Sequence, residues 1–209
     1  MVITYYGKAF IRLQFGDMVV ALNPIAKRSE VKSARFGADI ALISLRQPEF
    51  AGAEALNFGS KEPVVFDGPG EYELSDVFIK GYLSVGPVGK INTIYTIVLE
   101  GMKICHLGVL AENNLEPDVV EEISGANILF VPIGDEGTMA PGPAAKLASS
   151  LIPNIIIPVL DGAGKEADVR LAEFLKETGE AGIKRSDKLS LKKKDLEGKE
   201  AEVIPLEIT

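Results

Sequence analysis

The stretch ADIALISLRQPEF, residues 38–50, decides how this chain folds. From Ala38 to Leu45 it is apolar except for Asp39 and Ser44. A run so short and so apolar reads as a strand covered on both faces, because a half-exposed strand would alternate with polar residues. After Leu45 the pattern breaks into Arg46, Gln47, Pro48, Glu49 and Phe50, a loop.

Upstream of that run, residues 2–6 alternate and are β-branched or aromatic. Residues 9–15 and Met18–Leu22 flank Gly16-Asp17 as a hairpin. Downstream, residues 63–66 and 77–82 read as strands separated by the turn Asp67-Gly68-Pro69-Gly70. Residues 94–99 and Met102–His106 make a second hairpin around Glu100-Gly101. From there the pattern alternates. Helices are expected at 116–123, 143–151 and Lys165–Glu177, the last with Val169, Leu171, Ala172 and Leu175 near helical spacing. Between them lie apolar strands at 128–131 and 155–159, and residues 203–208 suit a terminal edge strand. The charged tract 184–199, interrupted by Leu189, Leu191 and Leu196, reads as a solvated hairpin. Hairpins followed by strand–helix alternation predict an α/β (α+β) fold. The expected form is a four-layer αββα sandwich of two mixed sheets with helices outside, built by residues 1–209 as a single domain.

Composition removes several classes of function. Hydrophobic residues are 46% and charged residues 25%, the balance of an ordinary folded protein. With no Trp and 7% aromatics, a stacking surface for single strands is not expected. The net charge of -8 disfavours nucleic acid and anionic lipid as partners. Lys192-Lys193-Lys194 is too short a basic run to reverse that. The opening residues lack the basic segment and apolar run of a signal peptide, and no apolar run approaches a membrane span. A cytoplasmic location is the expectation. A lone cysteine forms no intrachain disulfide.

Metal chemistry is short of ligands. The chain has one histidine, His106, and one cysteine, Cys105. A structural zinc site takes about four Cys, His or carboxylate ligands, and a catalytic one about three plus water. Carboxylates alone would favour magnesium, calcium or manganese. Cys105 and His106 are neighbours on a strand and face opposite ways, so they form no nucleophile–base pair. Glu49, Glu71, Glu73, Asp135 and Glu136 are the acidic residues that could assemble an oxygen-rich or acid–base site, though no spacing fixes them on one face. Residues 134–142 are Gly-rich but lack the Lys-Ser/Thr ending of a phosphate loop, and their acids would repel phosphate.

Several short matches, in order, resemble the metallo-β-lactamase superfamily, closest to its small branch of lactonase-like, Zn-dependent hydrolases. Members of that branch commonly follow the first strand with Gly-His-Ser and an aromatic, and Gly7-Lys8-Ala9-Phe10 stands here. Their Asp-Pro after the first hairpin corresponds to Asn23-Pro24. Their Thr-His-x-His-x-Asp-His motif corresponds to Ser44-Leu45-Arg46-Gln47-Pro48-Glu49-Phe50. The turn Pro-Gly-Glu-Tyr-Glu is intact at Pro69 to Glu73. His-x-Gly-Asp corresponds to His106-Leu107-Gly108-Val109, a Pro-Val-Gly-like loop to Pro132-Ile133-Gly134, and Ile-Pro-x-His to Ile157-Pro158-Val159-Leu160.

The resemblance implies a hydrolase fold whose site positions are Asn23, Leu45, Gln47, Glu49, Phe50, Val109 and Leu160. It also implies that the zinc expected of the family has lost its ligands. Leu, Val and Phe donate no lone pair, and that chemistry needs a metal to acidify water and polarise a carbonyl. The expectation is therefore no metal cofactor and a catalytically silent scaffold that acts by self-association or by binding a partner protein or ligand. Residues 85–88 and 138–143 are the expected apolar interface loops. The alternative is a hydrolase of an ester, lactone or phosphoester with a carboxylate-rich site that uses Glu49, His106, Asp135 or Glu136.

Overall fold

The computed structural model describes residues 1–31, 34–134, 137–160 and 162–209. Two mixed sheets face each other. The first is built from β1 (Val2–Tyr5), β2 (Ile11–Phe15), β3 (Met18–Leu22), β4 (Ile40–Leu42), β5 (Val64–Phe66) and, at its other edge, a two-residue strand at Leu189–Ser190. The second carries β6 (Gly70–Leu74), β7 (Val77–Val85), β8 (Ile91–Leu99), β9 (Met102–His106), β10 (Ile128–Ile133), β11 (Ile155–Leu160), and a final two-residue strand at Glu202–Val203. In chain order the two short strands are β12 and β13. Pairing β3–β4–β5 is parallel, as is β9–β10–β11–β13, and the remaining pairs are antiparallel.

The alternating residues of each sheet explain the layers. Ile3, Tyr5, Ile11, Leu13, Val20 and Leu22 from the first sheet meet Ile97, Ile104, Ile128, Phe130, Ile155 and Ile157 from the second in one buried cluster. The opposite face of the second sheet buries Cys105, Leu129, Val131 and Ile156 beneath α1 (Pro117–Ile123), α2 (Pro141–Ser150) and α3 (Lys165–Glu177). On the far side of the first sheet, the described residues between β3 and β4 form an extended loop. Tyr6, Phe10 and Phe36 stack there with ring centroids 5.0–5.7 Å apart, so aromatic packing covers that face in place of an α-helix.

Several elements depart from the sequence reading. The buried stripe of α3 is Ala167, Leu171, Phe174 and Leu175, while Val169 and Ala172 are exposed. The stripe is rotated by the larger burial that Phe174 offers. Helix α2 begins two residues early because Pro141 takes the first helical position, where a missing N–H costs nothing. Residues 70–74 form a strand, with Tyr72 turned inward to stack on Phe66 at 4.4 Å and Glu71 and Glu73 outside. The tract 184–199 is not a solvated hairpin. Leu189 and Ser190 pair with β1, and Leu191 and Leu196 are buried between the sheets, because the edge of β1 and the open end of the core take them. The terminal strand is two residues long and lies beside β11. Among the described residues no helix is long and apolar enough to cross a membrane.

Strands β7 and β8 are nine residues each and project a tip at Pro87-Val88-Gly89. Val88 sits there at φ 55°, fully open to solvent, in a conformation that costs a β-branched residue about 1 kcal/mol. Val88→Asn is expected to raise stability by about 0.5–1 kcal/mol in urea denaturation, since Asn tolerates that conformation and no packing is lost.

Candidate functional site

Five strands deliver their carboxyl ends to one end of the sandwich. Asn23 follows β3, Ser44 follows β4, Leu107 to Val109 follow β9, Gly134 follows β10 and Leu160 ends β11. The carboxyl ends of parallel strands are where α/β sheets place their sites.

Gly108 locks this end together. It has φ 66°, and a Cβ there would lie 2.3 Å from Asn92 Oδ1 and 2.7 Å from both Ser44 Cβ and Oγ. The Asn92 amide spans the turn: its Oδ1 accepts from Val109 N–H at 2.9 Å, and its Nδ2 donates to Leu107 O at 3.0 Å and Ser84 Oγ at 2.8 Å. Across the seam, Ser44 N–H donates to Asn23 Oδ1 at 2.7 Å and Ser44 O accepts from Thr93 N–H at 2.9 Å. The loop after Ser44 is folded back by Ala26 N–H to Pro48 O and Gly52 N–H to Pro24 O, both 2.7 Å. Gly52 has no room for a side chain, because its Cβ would sit 2.1 Å from the backbone of Ile25. The buried Tyr5 hydroxyl ties the end of β1 to the end of β11. It accepts from Leu160 N–H at 2.9 Å and shares its proton between Lys8 O at 2.8 Å and Leu160 O at 3.0 Å.

His106 is fully buried at this end. Its Nδ1 accepts from Gly108 N–H at 2.8 Å, which leaves the proton of the neutral ring on Nε2. The Ala9 carbonyl pulls on that ring without meeting hydrogen-bond geometry at Nε2. Burial dominates and pushes His106 down to about 4, so it is a neutral ring and not a cation near neutrality. It serves as a hydrogen-bonded strand end. Cys105 faces the helices instead, and burial pushes its thiol up to about 12, which leaves it without nucleophilic character.

The site positions expected from the sequence are brought together unevenly. Phe50, Val109 and Leu160 line one cavity with Lys8, Gly108 and Thr138. It measures about 10 Å³, at the limit for one water. Leu45 is buried in the same apolar cluster as Phe50 and Val109. Asn23 is wholly buried beside Ser44. Gln47 and Glu49 are half-buried in the loop and do not line the cavity. Glu71 and Glu73 lie apart on β6, with Glu71 3.3 Å from Lys80. Asp135 and Glu136 lie outside the described residues. The expected interface loops also differ: Val85 and Val88 are exposed, but Thr138, Met139 and Pro141 are buried because they close the top of β10.

This end keeps polarity next to its apolar lining. Asn23 Nδ2, Ser44 Oγ, His106 Nε2 and Thr138 Oγ1 are buried with no protein hydrogen bond. Sequence reading passed over Asn92 and Tyr5, and took Thr138 as part of an interface loop. A signal existed for the first: an asparagine inside the apolar run Ile91-Asn92-Thr93-Ile94 is unusual for a strand. The described donors do not fit zinc. Among the described residues no group of three His, Cys, Asp or Glu is placed to hold a metal ion, and the cavity lining offers no imidazole or carboxylate.

Two mixed sheets packed face to face, with α-helices over one of them and a candidate site at the strands' carboxyl ends, define an α/β two-sheet sandwich. By the match of residues 2–160 to the beta-lactamase superfamily domain, the chain belongs to that superfamily and has the metallo-β-lactamase fold. A Thermotoga maritima protein described as a candidate Zn-dependent hydrolase of the metallo-β-lactamase superfamily superposes with a TM-score of 0.78 at 27% identity, covering 98% of this chain and 97% of its own. A UPF0173 protein of Pyrococcus furiosus is 32% identical over 108 residues, 51% of this chain and 48% of its own length. The chain thus spans about half of that relative. A UPF0173 metal-dependent hydrolase of Lysinibacillus sphaericus is 23% identical over 76% of this chain and 84% of its own.

Two outcomes follow from this geometry. Gly108→Ala is expected to cost about 3 kcal/mol or more, since both the backbone conformation and the contacts with Asn92 and Ser44 forbid a Cβ; urea denaturation or soluble yield reads it. For His106 the unfolded chain takes up the proton first, near pH 6.5, while the folded chain resists until about pH 4. Stability therefore falls as the pH drops through that window, by about 2 kcal/mol between pH 7.5 and 5. His106→Gln should flatten that slope in denaturation curves taken across the same range.

Proposed function

We propose that this chain is a catalytically silent member of the superfamily, a hydrolase fold that works by binding rather than by metal-assisted hydrolysis. One observation carries the reading. Where metal-dependent relatives would gather ligands, Phe50, Val109 and Leu160 close on a space of about 10 Å³. Filling a vacated polar site with aliphatic and aromatic side chains removes the cost of unpaired ligand groups and extends the core. The surviving frame supports descent from a working site: the seam of Asn23, Ser44, Gly108 and Asn92 holds its loops in place, and four unpaired polar atoms remain at this end. No observation among the described residues favours the carboxylate-rich alternative, because Glu49 joins no acidic or imidazole group.

Mass action gives the test. A resident ion that binds only the folded chain at 100 times its Kd would stabilise it by about 2.7 kcal/mol. Thermal unfolding of the untagged protein is therefore expected to be the same after chelation, and with added zinc or manganese. A melting temperature that drops on chelation and recovers with one of these metals would refute the silent reading.

A further inference from the structure

We propose that the cleft between the β7–β8 hairpin and the loops after β4 and β5 binds a small amphipathic carboxylate, an apolar chain with one anionic head. The cleft has a volume of about 490 Å³, within the usual range for small-molecule sites. It is separate from the filled cavity at Phe50, Val109 and Leu160.

One wall is the hairpin. Ile91 and Thr93 line it, and the cross-strand register places Leu83 and Val85 on the same face, opposite Thr93 and Ile91 respectively. Leu83 is 61% exposed and Ile91 66%, so apolar side chains stand open beside the cleft, with Thr93 buried at its floor. Leu45 and Pro69 supply the apolar side of the other wall. The mouth is basic on an otherwise acidic chain. Lys90, exposed and without an ion pair among the described residues, stands on the hairpin. Arg46 stands across from it, oriented by Asp67 at 3.0 Å. Two cations against one carboxylate leave room for one negative head, and the guanidinium fork suits a carboxylate. The open apolar side chains would take the ligand's chain. A purely polar anion would leave them wet, and an uncharged apolar ligand would leave Lys90 unmatched.

This assignment deepens the proposed function, since a ligand is held here and released unchanged. Decanoate titrated into the full chain, followed by calorimetry and by amide shifts, tests it. Saturable binding at one site is expected. It should weaken roughly tenfold in Lys90→Glu and likewise in Ile91→Asp, both exposed positions whose circular dichroism should match the parent, and decanol should bind more weakly than decanoate. Absence of saturable binding, or an affinity unchanged from the parent in both variants, would overturn the assignment and leave the silent reading intact. Zinc-dependent hydrolysis would sink the silent reading and leave decanoate binding standing.

Discussion

The close approach of Gly108 to Ser44 and Asn92 is the constraint on which this end of the molecule depends. No side chain fits at residue 108, so the turn after β9 lies directly against the end of β4. The Asn92 amide then satisfies the turn's backbone on both sides, and Ser44 passes the connection to Asn23. Two sheets that share only apolar faces could slide. These directional bonds fix their register at the carboxyl ends, where buried polar groups must be paired to be tolerated.

On the proposed reading, that frame lets the fold persist without metal chemistry. The strands are held by Gly108, Asn92 and Tyr5, none of which needs a metal. The loops they carry are then free to exchange ligands for packing. Phe50 and Val109 add to the core between the sheets and Leu160 to the core beneath the helices, while Asn23, Ser44, His106 and Thr138 keep buried polar atoms without a protein partner at this end.

The sheets and helices of this protein were legible because their signals are local. Apolar runs such as 40–42 and 155–160 are short enough to suit buried strands, which is what they form. What was not legible depends on distant partners. Leu189 and Leu191 look like interruptions in a charged tract until the edge of β1 is there to receive them. Tyr5 reaches Leu160 across 155 residues, and no pattern near residue 5 announces it. The stripe of α3 was misread by a fraction of a turn, because spacing alone does not say whether Val169 or Phe174 wins burial. Glu49 and Gln47 were placed in the right loop, but whether they point into the cavity was decided by the fold-back of Pro48 and Gly52.

The central claim is that this superfamily member carries no resident metal. Elemental mass spectrometry of the untagged protein, expressed in medium supplemented with zinc and manganese, tests it most directly. The account predicts metal far below one ion per chain. One or two ions retained per chain through dialysis would contradict it.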